Sequence, residues 1–444
     1  MNVRPSTVLL GIALIGGMAL HSIVVDAKSA HAKPGGGRSQ IHDAPVLWSS
    51  LITSGARGAG IYENTVVVER SRPSLGRSDE VLTEGLDAST GKLLWRRDGA
   101  SPTAGDTPFL AFNRSLDRID IRTGRSKWRS PQLCRVAHAT PTIAIVSGSD
   151  IYVGCSSGEI FALNSSTGRI LASAYPIKVV RLARIVPLAF NTLDVSGYDD
   201  VDMVTRSAIL KDKTLSTVLA LGPDASFLAY EGQDVLAIDR CCRGTHDDNW
   251  PATIQRFSIK TRTLISRVDL HPYRPALPVD KSQPGAGTVL LAGMRLYVST
   301  HSGLFLYDLR ILNAQPRMLY RNLGAQPVLI RSRYFFITEG PPLNPTRTSL
   351  FDARATPARV VWSDNFPWSP QPAQPGLARE IGPDVGLRTN QNQAALIRLS
   401  DMTLWRIDGD CALQASNERL AFVYCPPAGP PPREPARLQM YRLP

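Results

Sequence analysis

The residues with the most reactive side chains lie between positions 199 and 248 of the 444-residue chain. Cys241 and Cys242 are adjacent, and His246, Asp247 and Asp248 follow within a few positions. An imidazole beside two carboxylates can bind a metal ion or poise a proton transfer. The commoner role for one His next to two acids in a polar loop is solvated surface. Asp199, Asp200 and Asp202 offer oxygen ligands for calcium. They lack the Gly and terminal Glu of a recognised calcium loop, and an exposed turn accounts for them.

The remaining cysteines are 134, 155, 411 and 425. Cys134 with Cys155 and Cys411 with Cys425 are the favoured pairings, because each bracket an expected hairpin. Cys241 and Cys242 are then left as a vicinal pair, either a strained structural disulfide or two cysteines that pair elsewhere. Other site classes are excluded by their missing signatures. There is no Gly-x-Ser-x-Gly elbow, Walker loop, His-Glu-x-x-His helix or Cys-x-x-Cys-His haem motif. Gly35 to Gly37 is an isolated run with no phosphate-loop context. Asn113 and Asn164 begin glycosylation sequons, which matter only in a eukaryotic secretory route.

The elements that must carry these residues are legible in an internal repeat. Leu86, Asp87, Thr90, Gly91 and Trp95 recur at the same spacing as Ile119, Asp120, Thr123, Gly124 and Trp128. Asp and Thr can bind the backbone of a tight turn, and Gly supplies its positive φ. The Trp then lies in the next strand, placed to dock on a neighbouring module. A third copy, Leu163, Asn164, Thr167 and Gly168, has Ala172 where the Trp would stand. Fainter copies pass through Ser258 and Thr261, Tyr307 and Asp308 before Tyr320, Asp352 before Trp362, and Leu399 and Asp401 before Trp405. Short Val, Ile, Leu and Tyr runs bounded by Gly, Pro, Ser and Asn lie between them and read as antiparallel strands. Self-similarity at roughly 20–50 residues signals a propeller, solenoid or array.

The Asp-x-x-Thr-Gly-x-x-x-Trp copies resemble the tryptophan-docking repeats of PQQ-like (quinoprotein-type) β-propellers. The likeness covers roughly residues 80–175 well and the rest faintly. Gly-His and Trp-Asp signatures of a WD40 propeller are absent. The resemblance implies an all-β closed propeller of four-stranded antiparallel blades. Copies near 87, 120, 164, 258, 308, 352 and 400, with a final strand at Leu438 to Leu443, give seven or eight blades. Trp48 follows Pro45, Val46 and Leu47 in a segment like Leu93 to Trp95, so an N-terminal strand is expected to be the outer strand of the last blade and to close the ring. Closure removes exposed sheet edges. Trp48, Trp95, Trp128, Trp362 and Trp405 are the expected blade-docking residues. The interval 177–257 is too long for one plain blade and holds either two degenerate ones or one with an insertion.

The family includes PQQ-dependent dehydrogenases as well as non-catalytic assembly factors and scaffolds. In the dehydrogenases a vicinal disulfide lies against the cofactor, and Cys241 and Cys242 resemble it. Their calcium ligands and catalytic Asp have no assignable counterpart here. PQQ and calcium are therefore expected only under an enzyme reading, and no cofactor under the other.

At the start of the chain, Arg4, an apolar run from Val8 to Leu20 and Ala30-His31-Ala32 form a secretory signal. The run from Thr7 to Val25 is nearly long enough for an uncleaved membrane anchor. No Cys near the cleavage region suggests lipoprotein processing. The expected organisation is a signal or anchor at 1–32, a flexible tether at 33–44 and the propeller at 45–444, outside the cytoplasm and of bacterial origin. The Pro-rich runs at 341–345, 367–375 and 426–435 read as semi-rigid rim loops. Lys and Arg exceed Asp and Glu by 50 to 38, a formal net charge of +12. This favours anionic partners such as lipid head groups, wall polymers or acidic proteins. Export and scattered Arg residues argue against nucleic acid. The reading is a non-catalytic scaffold that binds an envelope or extracellular protein or an anionic surface. The alternatives are a PQQ- and calcium-dependent dehydrogenase and the sensor domain of an anchored protein.

Overall fold

In a computed structural model the chain divides into residues 1–37 and a second unit, Arg38–Pro444. The structure describes residues 41–443, except 53–55, 73–79, 101–108, 178–180, 200–203, 241–250, 270–287, 310–315, 321–326, 341–345, 389–392, 408–410, 427–435 and a few single or paired positions. The second unit is all-β and, among the described residues, forms nine sheets. The third shows the plan: Pro141–Ser147, Asp150–Cys155, Ile160–Asn164 and Ile170–Ala174 pair antiparallel in chain order. The first (Ala56–Tyr62 to Leu93–Asp98), fourth (Arg181–Leu188 to Thr217–Ala220), fifth (Ala225–Glu231 to Leu264–Asp269) and sixth (Thr288–Ala292 to Arg317–Tyr320) repeat it. Three described strands, Phe109–Phe112, Ser115–Ile119 and Ser126–Arg129, form the second.

The count of nine corrects the expected seven or eight blades. The interval 177–257 contains the whole fourth sheet and three strands of the fifth. Its turn was hidden because Lys211 stands where Asp opens the earlier turns and Leu215 where Gly closes them: Leu215 N–H binds Lys211 O at 2.9 Å, and Leu215 takes the positive φ of 53°.

Three sheets depart from the plan. The seventh (Val328–Ile330, Tyr334–Glu339, Arg347–Asp352, Arg359–Asp364) gains a parallel neighbour on Val328–Ile330 through Leu329 and Leu377. Part of the Pro-rich run 367–375, expected as a rim loop, runs instead as strands Ser369–Pro370 and Pro372–Gln374, the latter paired with Leu377–Ala378. The eighth is built on Asp384–Arg388, Ala394–Arg398 and Leu404–Ile407, and Ile41–Asp43 lies parallel along its last strand. Residues 41–43, expected as tether, are therefore a strand. The ninth takes Ala412–Ser416, Leu420–Cys425 and Ala436–Arg442 from the C-terminal end, and its outer strand, Val46–Ile52, from the N-terminal end.

Packing follows from a side-chain period of two. In Asp150–Cys155, Ile151 and Val153 enter a cluster with the second sheet, while Tyr152 enters one with the fourth. Both faces are buried, so such strands read as continuous apolar runs. Nine hydrophobic clusters among the described residues each join one sheet to the next, and one of them joins Phe422, Leu438 and Met440 of the ninth sheet to Val66, Val68 and Leu86 of the first.

Candidate functional site

The repeat's polar residues act first on their own turns. Asp87 Oδ1 accepts from Ser89 N at 3.0 Å, Thr90 N at 2.8 Å and Thr90 Oγ1 at 2.9 Å. Those donors, led by the Ser89 hydroxyl, hold the Asp87 carboxyl below the usual range. Asp120 accepts from Thr123 N at 3.1 Å and Asn164 from Thr167 N at 3.0 Å in the same way. Each turn closes with a glycine N–H on the carbonyl of its first residue: Gly91 on Asp87 at 2.8 Å, Gly124 on Asp120 at 2.8 Å and Gly168 on Asn164 at 2.9 Å. These glycines have φ of 70°, 66° and 69°.

The turn is also a seat for the preceding sheet's tryptophan. A Cβ on Gly91 would stand 2.8 Å from Trp48, and one on Gly124 would stand 2.7 Å from Trp95. Trp128 covers Gly168 as closely. Each indole N–H then donates to a backbone carbonyl beside the seat: Trp48 to Ala88 at 2.9 Å, Trp95 to Ile121 at 2.7 Å and Trp128 to Ser165 at 3.0 Å. Three successive junctions, ninth to first, first to second and second to third, are thus made alike.

Later junctions are not. Opposite Ala162, the equivalent outer-strand position is Ala172, and the next turn has Leu215 where glycine stands earlier; the two meet in one cluster. Small and large residues have changed places. Trp362 and Trp405 are buried in the clusters joining seventh to eighth and eighth to ninth sheets, yet neither indole N–H has an acceptor. His42 lies 4.8 Å from Trp405, ring centre to ring centre. The eighth turn, expected near residue 400, runs from Arg398 to Met402: Met402 N–H binds Arg398 O at 2.9 Å with φ of 61°.

Ion pairs on buried carboxylates brace the early sheets. Glu84 receives Arg96 at 2.6 Å and Arg70 at 2.6 Å. Asp117 receives Arg129 at 2.6 Å from its own sheet and Arg97 at 3.0 Å from the first. Sequence reasoning missed these carboxylates. The signal was present: each acid precedes by twelve residues the Arg that follows a docking Trp. Arg398 performs a later version, binding Asp384 at 3.0 Å and Glu418 O of the ninth sheet at 2.8 Å.

One buried acid stands apart. Asp194 of the fourth sheet is 2% exposed, its Oδ1 accepts no hydrogen bond, and its nearest cation is Arg184 at 3.8 Å. Burial pushes its carboxyl up to about 6, against the opposing pull of Arg184.

Disulfides join Cys134 to Cys155 and Cys411 to Cys425. Cys241, Cys242, His246, Asp247 and Asp248 lie outside the described residues, as do Asp200, Asp202 and residues 1–40. Among the described residues no three His, Cys, Asp or Glu side chains gather as a metal-binding group. No step through PQQ or calcium is derived from them.

Residues 40–187 match the family model for the outer membrane protein assembly factor BamB. No curated protein matches the chain. Among solved structures, BamB from Moraxella catarrhalis shares 12% identity over 90% of this chain and 100% of its own, with a TM-score of 0.41. Quinohemoprotein alcohol dehydrogenase from Comamonas testosteroni shares 11% identity over 90% of this chain and 76% of its own, with a TM-score of 0.44. The computationally designed Ika8 protein shares 13% over 84% and 100%, with a TM-score of 0.43. Likenesses this weak carry no argument, and the fold rests on the sheets themselves. The repeated turns and their seated indoles fall inside the matched segment, so residues 40–187 are similar to the repeats of PQQ-like β-propellers.

Proposed function

We propose that the chain is an exported, non-catalytic binding scaffold. It is a closed propeller whose ring is completed by the N-terminal strand Val46–Ile52. Its rim loops recognise a protein of the cell envelope or an anionic surface, as a rigid frame allows. The observation that carries this reading is how the repeat's reactive side chains are engaged. Asp87 and Asp120 bind their own turns, Glu84 and Asp117 are paired with arginines, and Trp48, Trp95 and Trp128 are seated between sheets. The match to an assembly-factor model supports it, as do the disulfides, which persist in oxidising compartments. The Arg excess favours an acidic partner.

The test is thermal stability and dye reduction of the purified protein with PQQ and calcium, across simple alcohols and sugars. No stabilisation and no turnover, with an envelope protein captured by cross-linking in intact cells, is the expected result. Stabilisation with turnover that Cys241→Ser abolishes would overturn it in favour of a dehydrogenase using the vicinal pair.

A further inference from the structure

We propose that the junction between the fourth and fifth sheets is a proton-sensitive joint, tight when the Asp194 carboxyl is protonated and loosened when it is ionised. The strand Thr192–Asp199 sends Leu193 and Val195 toward the third sheet, and therefore Thr192, Asp194 and Ser196 toward the fifth. Asp194 thus enters a junction whose other buried members are Ile209, Leu219, Leu221, Ala225, Val235 and Ala237. Ser207, which pairs with Ser196 on the same face and is diagonal to Asp194, has a buried hydroxyl without a partner. The carboxyl is therefore surrounded by apolar side chains and uncommitted polar atoms, and a charge there is costly.

Among the described residues, two titratable or charged groups face it. Arg184, on the fourth sheet, stands 3.8 Å away, with a side chain 56% exposed. That is too far for the short, hydrogen-bonded ion pair that a buried charge requires. Tyr230, on the fifth sheet, shares a 2.5 Å hydrogen bond with Thr192 Oγ1 and feels the Asp194 charge.

The joint reaches the surface. Thr192 follows a hairpin turn in which Phe190 and Asn191 adopt φ of 58° and 54°, the left-handed region that non-glycine residues seldom occupy. Phe190 is 60% exposed and meets Tyr230 edge-on at 5.1 Å. Ionisation under Thr192 therefore acts on a strained turn that displays an aromatic ring.

The sign follows from linkage. An acid whose folded value is raised, here from 3.8 to about 6, binds more protons when folded. Its stabilising contribution is complete below the unfolded value and is lost as pH rises through the folded one. The experiment compares melting temperature and amide hydrogen exchange of the wild type and Asp194→Asn from pH 5 to 7.5. Asn mimics the protonated acid, so the variant should melt above the wild type at pH 7.5, and the gap should narrow toward pH 5. Exchange in strands Thr192–Asp199 and Ala225–Glu231, corrected for the intrinsic rate, should rise with pH only in the wild type. Arg184→Gln guards against a variant that fails to fold. It removes the one cation favouring ionisation and should shift the wild-type transition to higher pH. Parallel pH profiles in wild type and Asp194→Asn, or a transition unmoved by Arg184→Gln, would overturn the proposal.

Discussion

The junctions around Trp48, Trp95 and Trp128 and those from the third sheet onward join the same kind of sheet by different means. In the first set a large ring covers a glycine, its N–H is satisfied, and the glycine's positive φ is free of steric cost. In the second, the fourth, fifth and eighth sheets keep the same backbone turn while its side chains diverge. Leu215, Arg262 and Met402 take φ of 53°, 59° and 61° without glycine, and Trp362 and Trp405 are buried with no acceptor. The difference teaches that the turn's hydrogen-bonded geometry, not its sequence, is what these sheets share. The contacts across a junction need only fill space.

The comparison breaks most severely at its best-made junction. Trp95→Ala empties a seat enclosed by Gly85 and Gly124 and should cost roughly 3–5 kcal/mol in denaturant unfolding. An unchanged midpoint would remove the docking role. Next in size, Gly124→Ala forces a Cβ into the Trp95 ring on a left-handed backbone. A loss of about 2–4 kcal/mol is expected from the two effects together.

A double substitution asks whether the two solutions interconvert. Ala172→Trp and Leu215→Gly should each destabilise alone, one by overpacking and one by leaving a void. Combined, they restore the large-on-small arrangement, and a double-mutant cycle should give a favourable coupling of about 1–3 kcal/mol. Additive losses would mean that the fourth sheet cannot seat an indole. Smaller again is the value of the indole N–H. Trp95→Phe should cost about 1 kcal/mol more than Trp362→Phe, because only Trp95 gives up a hydrogen bond. Smallest is Arg262→Gly, which relieves an exposed left-handed residue and should stabilise by about 1 kcal/mol or less. A loss of stability there would show that the Arg262 side chain does more than fill its turn.

These differences also explain what the sequence disclosed. Repeats with Asp, Thr, Gly and Trp were readable because each residue answers a local demand: a turn acceptor, a turn donor, a positive φ, a seated ring. The turn at Lys211–Leu215 keeps the closing backbone bond with Lys in place of the opening Asp and Leu in place of the Gly, and so a whole sheet escaped the count. The pairs Cys134 with Cys155 and Cys411 with Cys425, favoured for bracketing hairpins, are the ones formed. The buried acids were not readable as sites. Whether Glu84 meets Arg70 and whether Asp194 meets no close donor depend on which face a strand turns inward, and a register decides that only once the sheets are packed.

The composite ninth sheet sets an order of events for the newborn chain. Val46 pairs with Tyr441 and Ile52 with Ala436, so this early strand finds its partner only once residues 436–442 have been synthesised. The entropic cost of so long a loop grows only logarithmically with its length and does not forbid the pairing. The wait has a different cost: until then Val46–Ile52 is an unpaired strand, open to any other sheet edge it meets. A chaperone that shields residues 46–52 during synthesis would raise the yield of native protein without altering its final stability.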